Sequence, residues 1–390
     1  MTLRGYYDVM DYGAKGDGAT NDLVALQAAS SAADAAGGGT VYLGPGRFNI
    51  GKGTWKVEQA AVQHHINIKG INPLVTQIVC DTSAGNPALY LNLEKYVTLE
   101  GFSVINQGTR GGYGIQFGGD LGAGMQSNGI NTRFVMAQNF DYGMFTSGGI
   151  GTSSDILFDH CVFMGCKYGW FTANFNALDY LLLMPEFWNC DVGCFISTGN
   201  VHVLHGGGEF NGTDFYIAGG NDAIVRIQGF RSENNGAPWL INSGSPYLTI
   251  EDCIVHSSVR GGRAVELNSG GTTTIRNSIF NDGYIFWNPF PTCSLTLENV
   301  CVYTPGNPWS LTNQTGGTVP RSQYPLVNNR AVGICGPGFL MMNNQWSANN
   351  APSKAYVRSV LELSNNTMYP DLNGVAVVSP INNMVAIQAI

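Results

Sequence analysis

The chain has 390 residues, 44% of them hydrophobic and only 12% charged, with 52 glycines and a formal net charge of −8. That balance suits a long, turn-rich β architecture rather than a helical bundle or a disordered tail, and 19 Lys and Arg scattered along the chain exclude the clustered basic surface that nucleic acid requires. No run of eighteen apolar residues and no basic-then-apolar leader occurs, so the sequence offers neither a membrane span nor a secretion signal.

The chain opens with Tyr7-Asp8-Val9-Met10-Asp11-Tyr12-Gly13-Ala14-Lys15-Gly16-Asp17-Gly18 and runs into an alanine-rich segment. This segment predicts a helix capped by Thr20 or Asn21, with Leu23, Leu26 and Ala33 on one face and Gly37-Gly38-Gly39 as its stop. A strand at Thr40-Val41-Tyr42-Leu43, a Pro45-Gly46 turn and extended structure at Phe48-Asn49-Ile50 follow. Asp11, Asp17 and Asp22 read as loop-fixing and helix-capping residues.

From Asp11 to Ile50 the text resembles the N-terminal entry of the pectate lyase 3 and glycoside hydrolase 28-related superfamily of β-helix proteins, which includes glucanases, alginate epimerases and phage tailspike depolymerases. The resemblance implies an all-β fold: a right-handed single-stranded parallel β-helix, pectin-lyase-like, with an N-terminal capping helix. It also implies a polysaccharide or oligosaccharide substrate, a homotrimer, and an extracellular or virion setting. The entry segment is specific for fold and not for reaction. The Asp-Pro-His-Asp segment of alginate epimerases does not occur here, which argues against epimerisation.

From about residue 97 the text repeats every 21 to 26 residues, the period of a solenoid whose coils each contribute a few short strands. Seven-residue frames run Leu99–Ile105, Leu157–Phe163, Leu182–Trp188, Val203–Glu209, Ile227–Glu233, Ile250–His256, Ile275–Asn281 and Leu297–Tyr303. Residues 106–154 fit less well and read as Gly-rich, with a long loop or with coils whose frame the sequence does not fix. The expected organisation is one continuous domain: an entry segment and helix (1–50), coils (51–303), then irregular coils and a C-terminal cap (304–390) with strand-like runs at Val357–Leu363 and Val375–Val378.

Strand side chains alternate, so the fourth and sixth positions of each frame fill the interior and the fifth and seventh point outward. The seventh position reads Ile105, Phe163, Trp188, Glu209, Glu233, His256, Asn281, Tyr303; the fifth reads Cys161, Glu186, Gly207, Arg231, Ile254, Ile279, Cys301. With coils about 4.8 Å apart, Glu209 and Glu233 become neighbours, flanked by Trp188 and His256. One of two such carboxylates is expected to hold a proton near neutrality, as the acid and nucleophile of a retaining glycosidase require at about 5 to 5.5 Å. Glu186, about 10 Å from Glu233, offers the wider spacing of an inverting enzyme. Trp188 and Tyr303 present flat faces for a sugar ring, Asn281 shares their row, and Arg231 can orient a carboxylate or a hydroxyl.

The first reading is a glycoside hydrolase or related polysaccharide depolymerase in which Glu209 and Glu233 share acid and nucleophile or base roles, and it needs no metal. The alternative is a lyase, in which His256 or Tyr303 removes the α-proton of a uronate while Arg231 or a bound Ca²⁺ offsets the carboxylate; the scarcity of Lys and Arg on this face counts against polyanions. The third reading is a non-catalytic glycan-binding spike or structural protein, with outward Phe163, Ile254 and Ile279 marking a covered face. Solubility explains any single exposed Glu or Arg, though less readily a cluster of them in a charge-poor chain. Asp155, Asp159 and His160 read as structural, with Asp159 in a turn and His160 inward. The nine cysteines lack zinc-site spacing and read as thiols.

Overall fold

In the computed structural model, short strands separated by left-handed corners wind into a parallel β-solenoid entered through an α-helix. The structure describes residues 5–303, except 59–63, 83–84, 93–95, 119–127, 147–153, 174–177, 221–222, 237, 258–261, 269–270, 282, 288–293 and 299–300, together with strands at 339–342, 360–364, 379–381 and 384–386; side chains are described as far as Phe280, outside these gaps and 257–263. Chain contacts define two units, Met1–Gly206 and Gly207–Ile390. No described helix is long and apolar enough to cross a membrane.

In the first unit the helix spans Leu23–Ala35 and buries Ala25, Leu26, Ala29, Ser30 and Ala33. Its small residues let it lie close to the strands, and Trp55 Nε1 donates to Ser30 Oγ at 2.8 Å beneath it. The capping position belongs to Asp22, not to Thr20 or Asn21. The Asp22 carboxylate turns back to accept the Lys15 and Gly16 amides, leaving Asn21 Oδ1 to accept the Leu23 amide. Thr20 is taken up by Asp17, which accepts its amide, its hydroxyl and the Ala19 amide; these bonds hold the Asp17 carboxyl below the usual range. The Asp17 and Asp22 carboxylates thus fix the entry loop.

Two successive coils of this unit contribute three strands each. One coil runs Ile156–Asp159, Val162–Met164 and Tyr168–Thr172; the next runs Tyr180–Leu183, Glu186–Trp188 and Val192–Ile196, in register with the first. The corners of these coils are residues with positive φ: Asp155, His160 and Gly165 in one, Asp179, Met184 and Asn189 in the next. Asp, Asn, His and Gly accept this conformation at low cost.

Register corrects one frame. Phe163 pairs with Phe187 and Met164 with Trp188, so the frame beginning at Leu157 is one residue early. A one-residue slip exchanges faces. Phe163 is therefore inward and fully buried, stacked on Phe187 at 5.2 Å, and Cys161 is buried beside it; neither marks an outward face. Leu157 and Phe158 are both apolar, so alternation alone could not choose the start. Within 106–154, Asn131–Gln138 pairs with Thr98–Asn106, so this part of the segment is a regular coil, the second of the two readings, and not a long loop. Thr132 occupies the usual apolar first position and hides the frame; the segments 119–127 and 147–153 lie outside the described residues.

In the second unit, Gly207–Glu209, Arg231–Asn235, Ile254–Ser257, Ile279–Asn281 and Cys301–Tyr303 stack in parallel. Phe215, Phe230, Trp239 and Phe280 fill the interior behind them, with Phe215 edge-on to Phe230 at 4.8 Å and to Trp239 at 5.6 Å. Burying such a ring contributes about 1.5–3 kcal/mol. Farther along, Phe339–Met342 pairs in parallel with Ser294–Glu298, and Ser379–Ile381 with Met384–Ala386 antiparallel. The expected run at 357–363 overlaps the strand Val360–Ser364; the run at 375–378 and the proline-rich 304–338 lie outside the described residues.

Candidate functional site

The outward row of the second unit follows from strand register. Glu209 pairs with Glu233, Glu233 with His256, His256 with Asn281 and Asn281 with Tyr303. Glu209, Glu233 and His256 are half-buried; the side chains of Asn281 and Tyr303 lie outside the described residues. Arg231, two residues before Glu233 on the same face, is 67% exposed, and its guanidinium forms an ion pair with the Glu233 carboxylate. Ile254 and Ile279 stand beside Arg231 in register, exposed and apolar.

Glu186 and Trp188 belong to the first unit, on the strand Glu186–Trp188, in register with Val162 and Met164. Both are exposed, Trp188 by 45%, leaving an indole surface available to a sugar ring. The aromatic ladder of this unit is different. Tyr113, Tyr142 and Tyr168 stack at 4.9 and 5.3 Å with interplanar angles of 15° and 22°, and Phe171 stacks on Phe195 at 4.5 Å and 8°. Their faces are spent on each other and their edges are left outward, an arrangement that stabilises coil stacking rather than sugar binding.

Three further polar clusters stand among the described residues, of which the sequence singles out only Asp159 and His160. Asp159 Oδ2 accepts from Arg133 Nε at 3.1 Å and Asp159 Oδ1 meets His160 Nδ1 at 2.6 Å, while the His160 ring stacks on Phe134 at 5.1 Å. His160 is 44% exposed, not inward, because it is the left-handed corner that turns the chain outward. In the second unit, Glu251 is gripped by Arg276 and Arg226 at 2.8 to 2.9 Å, and these bonds, Arg276's first, hold its carboxyl below the usual range.

The third cluster lies inside the second unit. Asp214, fully buried, accepts from Asn211 Nδ2 at 2.6 Å, from Asn235 Nδ2 at 2.8 Å and from the Ser232 hydroxyl. Burial pushes its carboxyl up to about 6, against the pull of these three donors. The signal was present: Gly208 and Ser232 are the inward neighbours of Glu209 and Glu233, polar or empty where the other coils carry apolar residues.

Among the described residues no three His, Cys, Asp or Glu side chains converge to hold a metal, so these residues offer no ready Ca²⁺ cage. Cys80, Cys161, Cys166, Cys190, Cys194 and Cys253 are buried thiols, and burial pushes the Cys161 and Cys253 thiols up to about 12.

No family model matches the chain. Two curated proteins of Azotobacter vinelandii match a short stretch: mannuronan C5-epimerase AlgE6, 61% identical over 44 residues (11% of this chain, 5% of that protein), and alginate lyase 7, 57% over 47 residues (12% and 6%). Among solved structures, the surface adhesin PfbA of Streptococcus pneumoniae superposes with a TM-score of 0.57 at 12% identity, over 98% of each chain. That likeness shows the fold alone, a β-solenoid shared with bacterial polysaccharide-modifying and phage proteins. The matched stretch is about a twentieth of the length of the two curated relatives named.

Proposed function

We propose that the chain is a polysaccharide lyase acting on a uronate-containing glycan, and that the row Glu209, Glu233, His256, Asn281 and Tyr303, with Arg231 beside it, is its active surface. The observation that carries this reading is a base and a guanidinium on adjacent coils, His256 in register with Glu233 and Arg231 on the same strand as Glu233. The short matches to enzymes named as an alginate lyase and a mannuronan epimerase support it, because both reactions begin by removing the proton α to a uronate carboxylate. In the proposed step Arg231 exchanges Glu233 for the substrate carboxylate, offsetting its charge. His256 withdraws the C5 proton, the electron pair forms the C4–C5 double bond as the C4–O bond breaks, and the proton passes on to the leaving oxygen. Tyr303 is the alternative base. The missing Asp-Pro-His-Asp segment keeps elimination ahead of epimerisation.

A second reading rests on a separate observation. Glu209 stands directly opposite Glu233, the arrangement of a glycosidase carboxylate pair. Incubating the protein with alginate and with neutral polysaccharides separates the readings. Elimination gives reducing ends together with the far-ultraviolet absorbance of an unsaturated uronate. Reducing ends without absorbance, abolished by Glu233→Gln, would establish hydrolysis instead. Retention of every glycan without cleavage would favour a binding protein.

A further inference from the structure

The strands carrying Glu209, Arg231 and Glu233 are fastened from behind by one buried acid. Gly208 and Ser232 are the inward residues between the outward pairs Gly207/Glu209 and Arg231/Glu233, and they stand in register. Asp214 lies against both. A Cβ at position 208 would overlap the Asp214 carboxylate, so this coil gives up a side chain to make room for the acid. The Ser232 hydroxyl donates to Asp214, and Asn235 Nδ2 bridges Asp214 Oδ2 at 2.8 Å and Ser232 Oγ at 2.5 Å. Asn235 Oδ1 in turn accepts the Asn211 amide at 2.8 Å, and Asn211 Nδ2 returns to Asp214 Oδ1 at 2.6 Å. Asn211, Asp214, Ser232 and Asn235 are all buried, and the two strands are cross-linked through this closed ring.

We propose that Asp214 is a positioning residue: its ionised carboxylate, by accepting three donors at once, holds the strands of Glu209 and Glu233 in the spacing that the outward row requires, and its protonation loosens that spacing. Three hydrogen-bond donors aimed at two oxygens fit the ionised form, and a proton on either oxygen sets a donor against a donor. The groups bonded to Asp214 are neutral, and the charged groups on the strands packed against it, Glu209, Arg231 and Glu233, point outward from the other face. The acid therefore acts on the row through the backbone rather than by contact. This inference rests on the proposed site for its catalytic meaning but not for its physical test.

That test uses the full chain carrying ¹³C-labelled glutamate, with the Glu209 and Glu233 carboxyl resonances assigned by Glu209→Gln and Glu233→Gln. Both resonances are expected to show a shared inflection with the Asp214 titration in the wild type. That inflection should vanish in Asp214→Asn and move to higher pH in Ser232→Ala, which removes one donor and keeps the acid. Asp214→Asn carries a risk of misfolding, and the Ser232→Ala displacement then decides alone. Unchanged Glu209 and Glu233 titrations in Ser232→Ala would overturn the proposal, leaving Asp214 a core residue with no hold on the row. The alginate assay on the same samples reads the lyase proposal separately, since the carboxyl titrations need no substrate.

Discussion

On the outside of the first unit the charges answer one another from coil to coil. Lys69 meets Glu100 at 3.5 Å, Arg133 meets Asp159, and Arg110 grips Asp191 through both guanidinium nitrogens. The second unit holds a comparable structural knot in Glu251 between its two arginines, but also a row in which Glu209 stands opposite Glu233, with Arg231 paired to Glu233. Placing like charges side by side costs stability, and an architecture under no other demand has the alternation of the first unit available. The difference teaches that charges paired from coil to coil serve as scaffold, and that the row with carboxylate opposite carboxylate is the candidate site.

The largest effect should come from the scaffold side. Phe163→Ala removes a fully buried ring from the Phe163–Phe187 stack and is expected to destabilise the first unit by about 3–5 kcal/mol, read by denaturant unfolding. A small loss would return Phe163 to the surface and undo the register. Next is Gly208→Ala, which forces a methyl group into the space of the Asp214 carboxylate and should cost about 1–3 kcal/mol.

The two buried or gripped acids should pull in opposite directions with pH. Burial costs the ionised Asp214 more than its three donors return, raising its carboxyl from the usual 3.8 to about 6; although the ionised form completes the ring, protonation favours the fold as a whole, a contribution fully present below about pH 3.8 and lost as pH rises through about 6. Glu251 is lowered, so its contribution is present above its ordinary value of 4.5 and lost as pH falls through the depressed one. Melting curves of the wild type should therefore gain stability from pH 7 to 5 and lose it on further acidification, and Asp214→Asn should abolish the gain alone. The smallest effect is expected for Arg133→Ala, a surface pair worth about 0.2–1 kcal/mol; a larger loss would mean that the first unit's ladder is more than exposed scaffold.

The frame of the coils was legible because Leu182, Val203, Ile227, Ile250 and Ile275 recur at a solenoid period with alternating neighbours, and the pairing from Glu209 to Tyr303 follows from that frame. It failed where two apolar residues adjoin, at Leu157 and Phe158, and where Thr132 replaces the apolar start. The outward row was legible for the same reason, but its partners were not. Whether Arg231 faces substrate or Glu233 depends on rotamers, and the ring around Asp214 joins Asn211, Ser232 and Asn235 across coils, a closure that spacing alone does not disclose.

The most direct test sets one histidine of each unit against the other on the same substrate. His160 has its Nδ1 on Asp159 and belongs to the scaffold in this account; His256 stands opposite Glu233 and is the proposed base. With alginate as substrate and unsaturated uronate as readout, His256→Gln is predicted to lose about 10²–10⁴-fold in rate while His160→Gln stays within a few-fold of wild type. Loss of activity in His160→Gln with His256→Gln unaffected would contradict the account and move the active surface to the first unit.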